Sequence, residues 1–172
     1  MTNSDTTRTY SWADPAAVYE QTQAMDGPTY LAAVRDGRLP QAPMWETAGL
    51  RLADFADGTA TFTADLEPFH GNAVGTIHAG FVSTILDTTL GCALRTTLPA
   101  GMGYTTLGLT LHLTRGLRPA DGPVTCTATL AHRGRRTATA EGRLTDRDGR
   151  LCAHGTATLM LFTSWAERDG RS

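Results

Sequence analysis

The chain has 172 residues, a formal net charge of -2 and an aromatic content of 7%. That length suits one domain with a sizeable core and does not call for two, and the near-neutral balance, without any basic run, excludes nucleic acid as the expected partner. No apolar stretch reaches membrane-spanning length and Met1-Thr2-Asn3-Ser4-Asp5-Thr6 lacks the layout of a secretory signal, so no membrane partner and a cytoplasmic location are expected.

Residues 1 to about 12 are polar and read as a mobile lead. Asp14-Pro15 is an N-cap followed by proline at the first helical position, which predicts a helix over 16–25. Gly27-Pro28 punctuates it. A second short helix over 29–35 stops at Asp36-Gly37 and Pro40, and 41–43 reads as a linker. The expected organisation is a helical extension over 1–42, a domain over 43–165 and a flexible tail over 166–172. Leu50, Leu52 and Phe55, the turn Ala56-Asp57-Gly58, then Ala60, Phe62 and Ala64 read as a hairpin.

The most informative stretch comes next. A loop from His70 to His78 carries Asn72 and runs directly into a predicted helix from about Ala79 to Leu98. Phe81, Val82, Ile85, Leu86, Leu90, Ala93 and Leu94 recur there at three- and four-residue spacing. Asp87 interrupts this apolar helix. Asp is a poor helix-interior residue, and a buried carboxylate must be desolvated, so a functional site is the leading explanation. Gly80, Ser83, Thr84, Asp87 and Gly91 share one small, polar stripe that leaves room for a ligand or a second chain beside Asp87.

Beyond the helix, Leu107, Leu109, Leu111 and Leu113 alternate, as do Val124, Cys126, Ala128 and Leu130. Residues 137–146 and 151–161 read as two further strands about the turn Asp146-Arg147-Asp148-Gly149. Short connections imply antiparallel pairing, and one amphipathic helix on one such sheet is an α+β domain. The helix is too apolar for one sheet face to cover, so self-association is expected. Cys92, Cys126 and Cys152 lie in apolar-periodic segments without zinc-ligand spacing and read as reduced core residues; no metal site is expected.

The loop and helix start Asn72-Ala73-Val74-Gly75-Thr76-Ile77-His78-Ala79-Gly80, then Asp87-Thr88-Thr89-Leu90-Gly91, resemble the PaaI-like (phenylacetic-acid-pathway) family of hotdog-fold acyl-CoA thioesterases. Further matching stretches are Tyr104–Leu109, Arg133–Arg136, Asp148–Ala153 and the upstream Tyr30–Pro40, so the resemblance spans roughly residues 30–162. It implies a hotdog fold, an antiparallel sheet wrapped around a long central helix, with an N-terminal helical extension. It implies hydrolysis of a small, medium-chain or aromatic acyl-CoA to free acid and coenzyme A, with no cofactor beyond the coenzyme A of the substrate. Asp87 then resembles the carboxylate that attacks or activates water, Asn72 the amide that holds the water or the carboxylate, and His78 the residue that caps the helix and orients the thioester. Ala79 takes the place whose N–H polarises the carbonyl, and Thr106 matches an assisting hydroxyl. Ala79 stands where relatives usually have glycine, Gly108 where a Glu is commoner and His112 where an Asn is commoner. These departures bear on substrate preference rather than on reaction class.

The chemistry agrees with these roles. Thioester hydrolysis builds negative charge on the carbonyl oxygen, which a helix N-terminus stabilises, and it needs a carboxylate to attack or to activate water. Asp87 is too far from Ala79 along one helix for both to meet one carbonyl, so a homodimer with shared sites is expected; a dimer of dimers is expected beside it, though the distance does not require one. Gly80, Ser83 and Thr84 would line the substrate site, and Arg133, Arg135 and Arg136 form either a solvated turn or a contact to coenzyme A phosphates. Two alternatives stand beside hydrolysis: an acyl-thioester hydratase or dehydratase on the same fold, and a non-catalytic acyl-CoA-binding or regulatory module.

Overall fold

The computed structural model describes residues 6–163; the expected tail over 166–172 lies outside them. Residues 6–12 form no helix or strand, and Arg8 donates to the Thr47 carbonyl and lies 3.8 Å over the Phe69 ring. Helices α1 (Pro15–Thr22) and α2 (Gly27–Arg35) begin by the same device. Asp14 and Asp26 accept from the amides of Ala16 at 3.1 Å and Thr29 at 2.8 Å, and each helix has proline in its first turn. α1 ends before the predicted Met25 because the following residues dock elsewhere: the Gln23 carbonyl accepts from Gly101 and the Gly27 amide donates to Leu98.

A third helix, α3 (Pro43–Ala48), occupies part of the predicted linker. It is too short for an apolar period to show, but Pro43 starts it, Gly49 at φ 68 ends it, and buried Trp45 packs edge-on against Phe62 at 4.8 Å. The strands are β1 (Leu50–Ala56), β2 (Thr59–Ala64), β3 (Gly103–Leu113), β4 (Val124–Arg133), β5 (Thr137–Thr145) and β6 (Leu151–Phe162), with α4 (Ala79–Arg95) between β2 and β3. They form one sheet in the order β1-β2-β4-β5-β6-β3, antiparallel throughout. This is the expected α+β hotdog fold, with α4 lying in the sheet's concave face.

Residue size explains the close wrap. The inward positions of β5 and β6 are mostly small: Ala138, Ala140, Gly142, Ala153, Gly155 and Ala157 are all buried. α4 fills the space with Ile85, Leu86, Leu90 and Leu94, each 0% exposed and each worth about 1.5–3 kcal/mol on burial. A Cβ at Gly142 would come within 3.2 Å of Leu86 and Leu90, so glycine sets how near the helix lies to the sheet. α4 stops at Arg95 rather than Leu98 because the chain tightens, with Thr97 and Leu98 donating to Leu94 and Arg95. The three cysteines are free and buried.

β3 departs from the simple alternation. Thr106 pairs with Leu159 and Gly108 with Thr158, which leaves Leu107 as an extra, bulged residue that is 58% exposed. The four leucines therefore do not share one face. Tyr104 and Thr106 point at α4 before the bulge, and Leu109 and Leu111 pack on the core after it.

Candidate active site

The loop before α4 is organised by its own polar groups. Asn72 Oδ1 accepts from the amides of Val74 at 3.0 Å and Thr76 at 3.2 Å, its Nδ2 donates to Thr76 Oγ1 at 2.7 Å, and Gly75 at φ 80 closes the turn. The amides of Ile77 and His78 donate to Leu117 and His70. His78 is the N-cap of α4, and its Nδ1 accepts the Gly80 amide at 2.8 Å, which leaves the ring proton on Nε2. The amides of Phe81 and Val82 return to His78. Ala79 N–H is thus the first-turn donor without a partner among the described residues, and Ala79 is exposed.

Asp87 stands at the middle of α4, and its Oδ1 accepts from Thr106 Oγ1 at 2.8 Å. The bulge at Leu107 is what keeps Thr106 on the inward face. No other hydrogen bond reaches the Asp87 carboxylate among the described residues, so Oδ2 remains open. One turn further along, Tyr104 lies against Gly91, where a Cβ would meet its hydroxyl at 2.6 Å. Burial pushes the Tyr104 hydroxyl well above its ordinary value and the Cys92 thiol to about 12, so Cys92 stays protonated and inert.

Within one chain the structure joins Asp87 to Thr106 but brings neither Asn72 nor His78 into hydrogen-bond contact with Asp87. Ser83 and Thr84 return their hydroxyls to the carbonyls of Ala79 and Gly80, both at 2.9 Å, so neither is poised as a nucleophile. Gly80 is exposed at the helix start. Arg133 donates to the Thr97 carbonyl at 2.7 Å, and Arg135 and Arg136 are exposed on the β4–β5 turn.

Sequence reasoning gave no role to His70, although it holds the loop. Its ring lies 4.0 Å from Phe69 and 3.9 Å from Phe81; Nδ1 accepts the Glu67 amide at 3.1 Å and Nε2 donates to the Ala48 carbonyl at 3.0 Å. Its partners are scattered along the chain, so no local spacing marks it out from the other histidines.

Residues 74–153 match the thioesterase superfamily. Three solved structures are similar. A phenylacetic acid degradation-related protein from Ralstonia eutropha is 27% identical, over 76% of this chain and 98% of that chain, with a TM-score of 0.70. A variant of the phenylacetic acid degradation protein PaaI from Thermus thermophilus is 28% identical, over 69% and 98%, with a TM-score of 0.63. A thioesterase family protein from Silicibacter pomeroyi is 26% identical, over 78% and 99%, with a TM-score of 0.69. The chain resembles the PaaI-like hotdog thioesterases. No curated protein matches it. On one helix it carries an open donor at the N-terminus and a carboxylate at the centre.

Proposed function

We propose that this thioesterase hydrolyses acyl-CoA to a free acid and coenzyme A, with Asp87 as general base or nucleophile and the Ala79 N–H as oxyanion donor. The observation that carries the reading is the Thr106–Asp87 hydrogen bond of 2.8 Å, which fixes one carboxylate oxygen and leaves the other for water or for the thioester carbon. Water adds to the carbonyl carbon as Asp87 takes its proton, the C–S bond breaks, and the thiolate leaves with a proton. Asn72 and His78 hold the thioester end of the substrate. Gly80, Ser83 and Thr84 form the floor beside it, and Arg135 and Arg136, with Arg133 partly committed to Thr97, face the coenzyme A phosphates. No metal or further cofactor enters these steps. Residues 1–42 serve as the extension to a catalytic domain over 43–165, in a protein that works in the cytoplasm.

The site is shared between two copies. β3 is an 11-residue edge strand at one end of the sheet, paired on one side only among the described residues. Joining two copies of β3 antiparallel would set two α4 helices side by side. A two-fold axis at Ser83 places Asp87 of one helix opposite Ala79 of the other, where Gly80, Ser83 and Thr84 permit close approach. Moving from Thr106–Asp87 to Ser83 is about 6 Å along α4, or about two strand residues, so the same axis crosses β3 near Gly108.

Free-thiol release from a panel of short, medium-chain and aromatic acyl-CoAs tests the reaction. Asp87→Asn, folded as judged by circular dichroism, should lose about 10²–10⁴-fold in rate, and a chelator should leave the wild-type rate unchanged. A hydratase would release no thiol. Single turnover in heavy-oxygen water would label Asp87 if it is the nucleophile and water opens the resulting anhydride at the Asp87 carbonyl, whereas a general base puts the label in the product acid alone.

A further inference from the structure

A cavity of about 340 Å³ lies between α1, residues 40–45 and the C-terminal end of α4. Val18, Trp45 and Met102 give it apolar walls, and Tyr30, Tyr104 and Arg95 supply its polar groups. Asp87 is not among the lining residues, but three contacts between α4 and residues 102–106 lie in step between it and the cavity. Asp87 meets Thr106, Gly91 meets Tyr104, and Arg95 donates through Nη1 to the Met102 carbonyl at 3.3 Å. Each step is four helix residues, or about 6 Å.

Arg95 is unusual among the arginines here. Its guanidinium lies 4.9 Å over the Tyr30 ring, its Nε is buried without a hydrogen-bond partner, and no ion pair reaches it among the described residues. A buried N–H without an acceptor is costly, and here that N–H is Nε alone. The side of a guanidinium that carries Nε matches a carboxylate with two parallel hydrogen bonds. Tyr30 makes no side-chain hydrogen bond of its own among the described residues, and its ring lies under the guanidinium.

We propose that this cavity receives the far end of the acyl group, and that Arg95 together with Tyr30 selects an acyl chain that ends in a carboxylate. This rests on the thioesterase reading above and adds the substrate class to it. The test compares suberoyl-CoA with octanoyl-CoA, which have equal carbon number and differ at the far end. Wild-type kcat/KM should favour suberoyl-CoA by about tenfold or more, and Arg95→Met should lower that ratio by about ten- to a hundredfold, the worth of a charge-assisted hydrogen bond. Tyr30→Phe, which keeps the ring under the guanidinium, should lower the ratio by less. The ratio is internal to each variant, so partial unfolding does not alter it. Equal hydrolysis of both substrates by the wild type overturns the inference and leaves the thioesterase reading standing. So does an equal loss on both substrates in Arg95→Met, which would assign Arg95 to coenzyme A. Hydrolysis of neither substrate, nor of any other acyl-CoA, overturns the thioesterase reading instead. Calorimetry with free suberate then decides the cavity: binding that Arg95→Met abolishes supports a carboxylate site, and absence of binding to the wild type overturns it.

Discussion

His70 couples the loop before α4 to pH. It is 7% exposed, and both ring nitrogens are committed, one accepting from Glu67 and one donating to Ala48. Protonation would remove the acceptor. Burial pushes its pKa below the ordinary 6.5, with the Arg8 guanidinium acting in the same direction, while the Ala48 carbonyl and Glu67 oppose the shift. The unfolded chain therefore binds more protons than the native one between the lowered value and 6.5, and stability rises with pH through that window. His70 contributes its full stabilisation above 6.5 and loses it as pH falls toward the lowered native value. The thermal midpoint should accordingly drop between about pH 7.5 and pH 5. His70→Gln should cost about 1–3 kcal/mol by leaving the Glu67 amide unpaired, and it should flatten the pH dependence. An unchanged slope in the variant would assign the acid sensitivity to another group.

At the scale of elements, the distance between α4 and β5 depends on one missing side chain. Gly142→Val would push methyl groups against Leu86 and Leu90, where a Cβ alone already stands 3.2 Å away. Overpacking of this kind costs about 1–3 kcal/mol, read as a lower urea midpoint at constant slope. Leu90→Ala should be less harmful in the Gly142→Val background than in the wild type, because each change relieves the other. Additive effects would mean that the helix is held off the sheet elsewhere. The same packing explains what the sequence revealed. α4 and strands β2, β4, β5 and β6 each bury one face over many residues, so their periods were visible. α3 is six residues long and shows none. The bulge in β3 was hidden because an inserted residue leaves the leucines at 107, 109, 111 and 113 in step along the chain while turning them to opposite faces of the sheet. In the candidate site, Asp87 and the His78–Ala79 helix start stood out through local rules of propensity and capping. His70, Tyr104 and Arg95 did not, because each gains its meaning from partners brought together only by folding.

At the scale of the whole molecule, the distance between Ala79 and Asp87 decides how many chains make a site. They are eight residues apart on one straight helix, about 12 Å along its axis, whereas a reacting carbon must lie about 3 Å from both nucleophile and oxyanion donor. The loop does not close that gap within one chain, since neither Asn72 nor His78 reaches Asp87. On the proposed two-fold axis at Ser83, a second copy would close it twice, once at each end of the crossing. Asp87→Asn and Asn72→Ala should each inactivate the homodimer, the first by removing the carboxylate and the second by releasing the loop. In a mixed dimer with shared sites, one site carries both lesions and the other carries neither. Random exchange of equal amounts makes about half of the dimers mixed, so about a quarter of wild-type activity should return. Exchange can be verified by mass spectrometry with one chain isotopically labelled. Recovery at that level establishes that Asp87 and Asn72 act across the interface, and verified exchange without recovery establishes that each site is built within one chain.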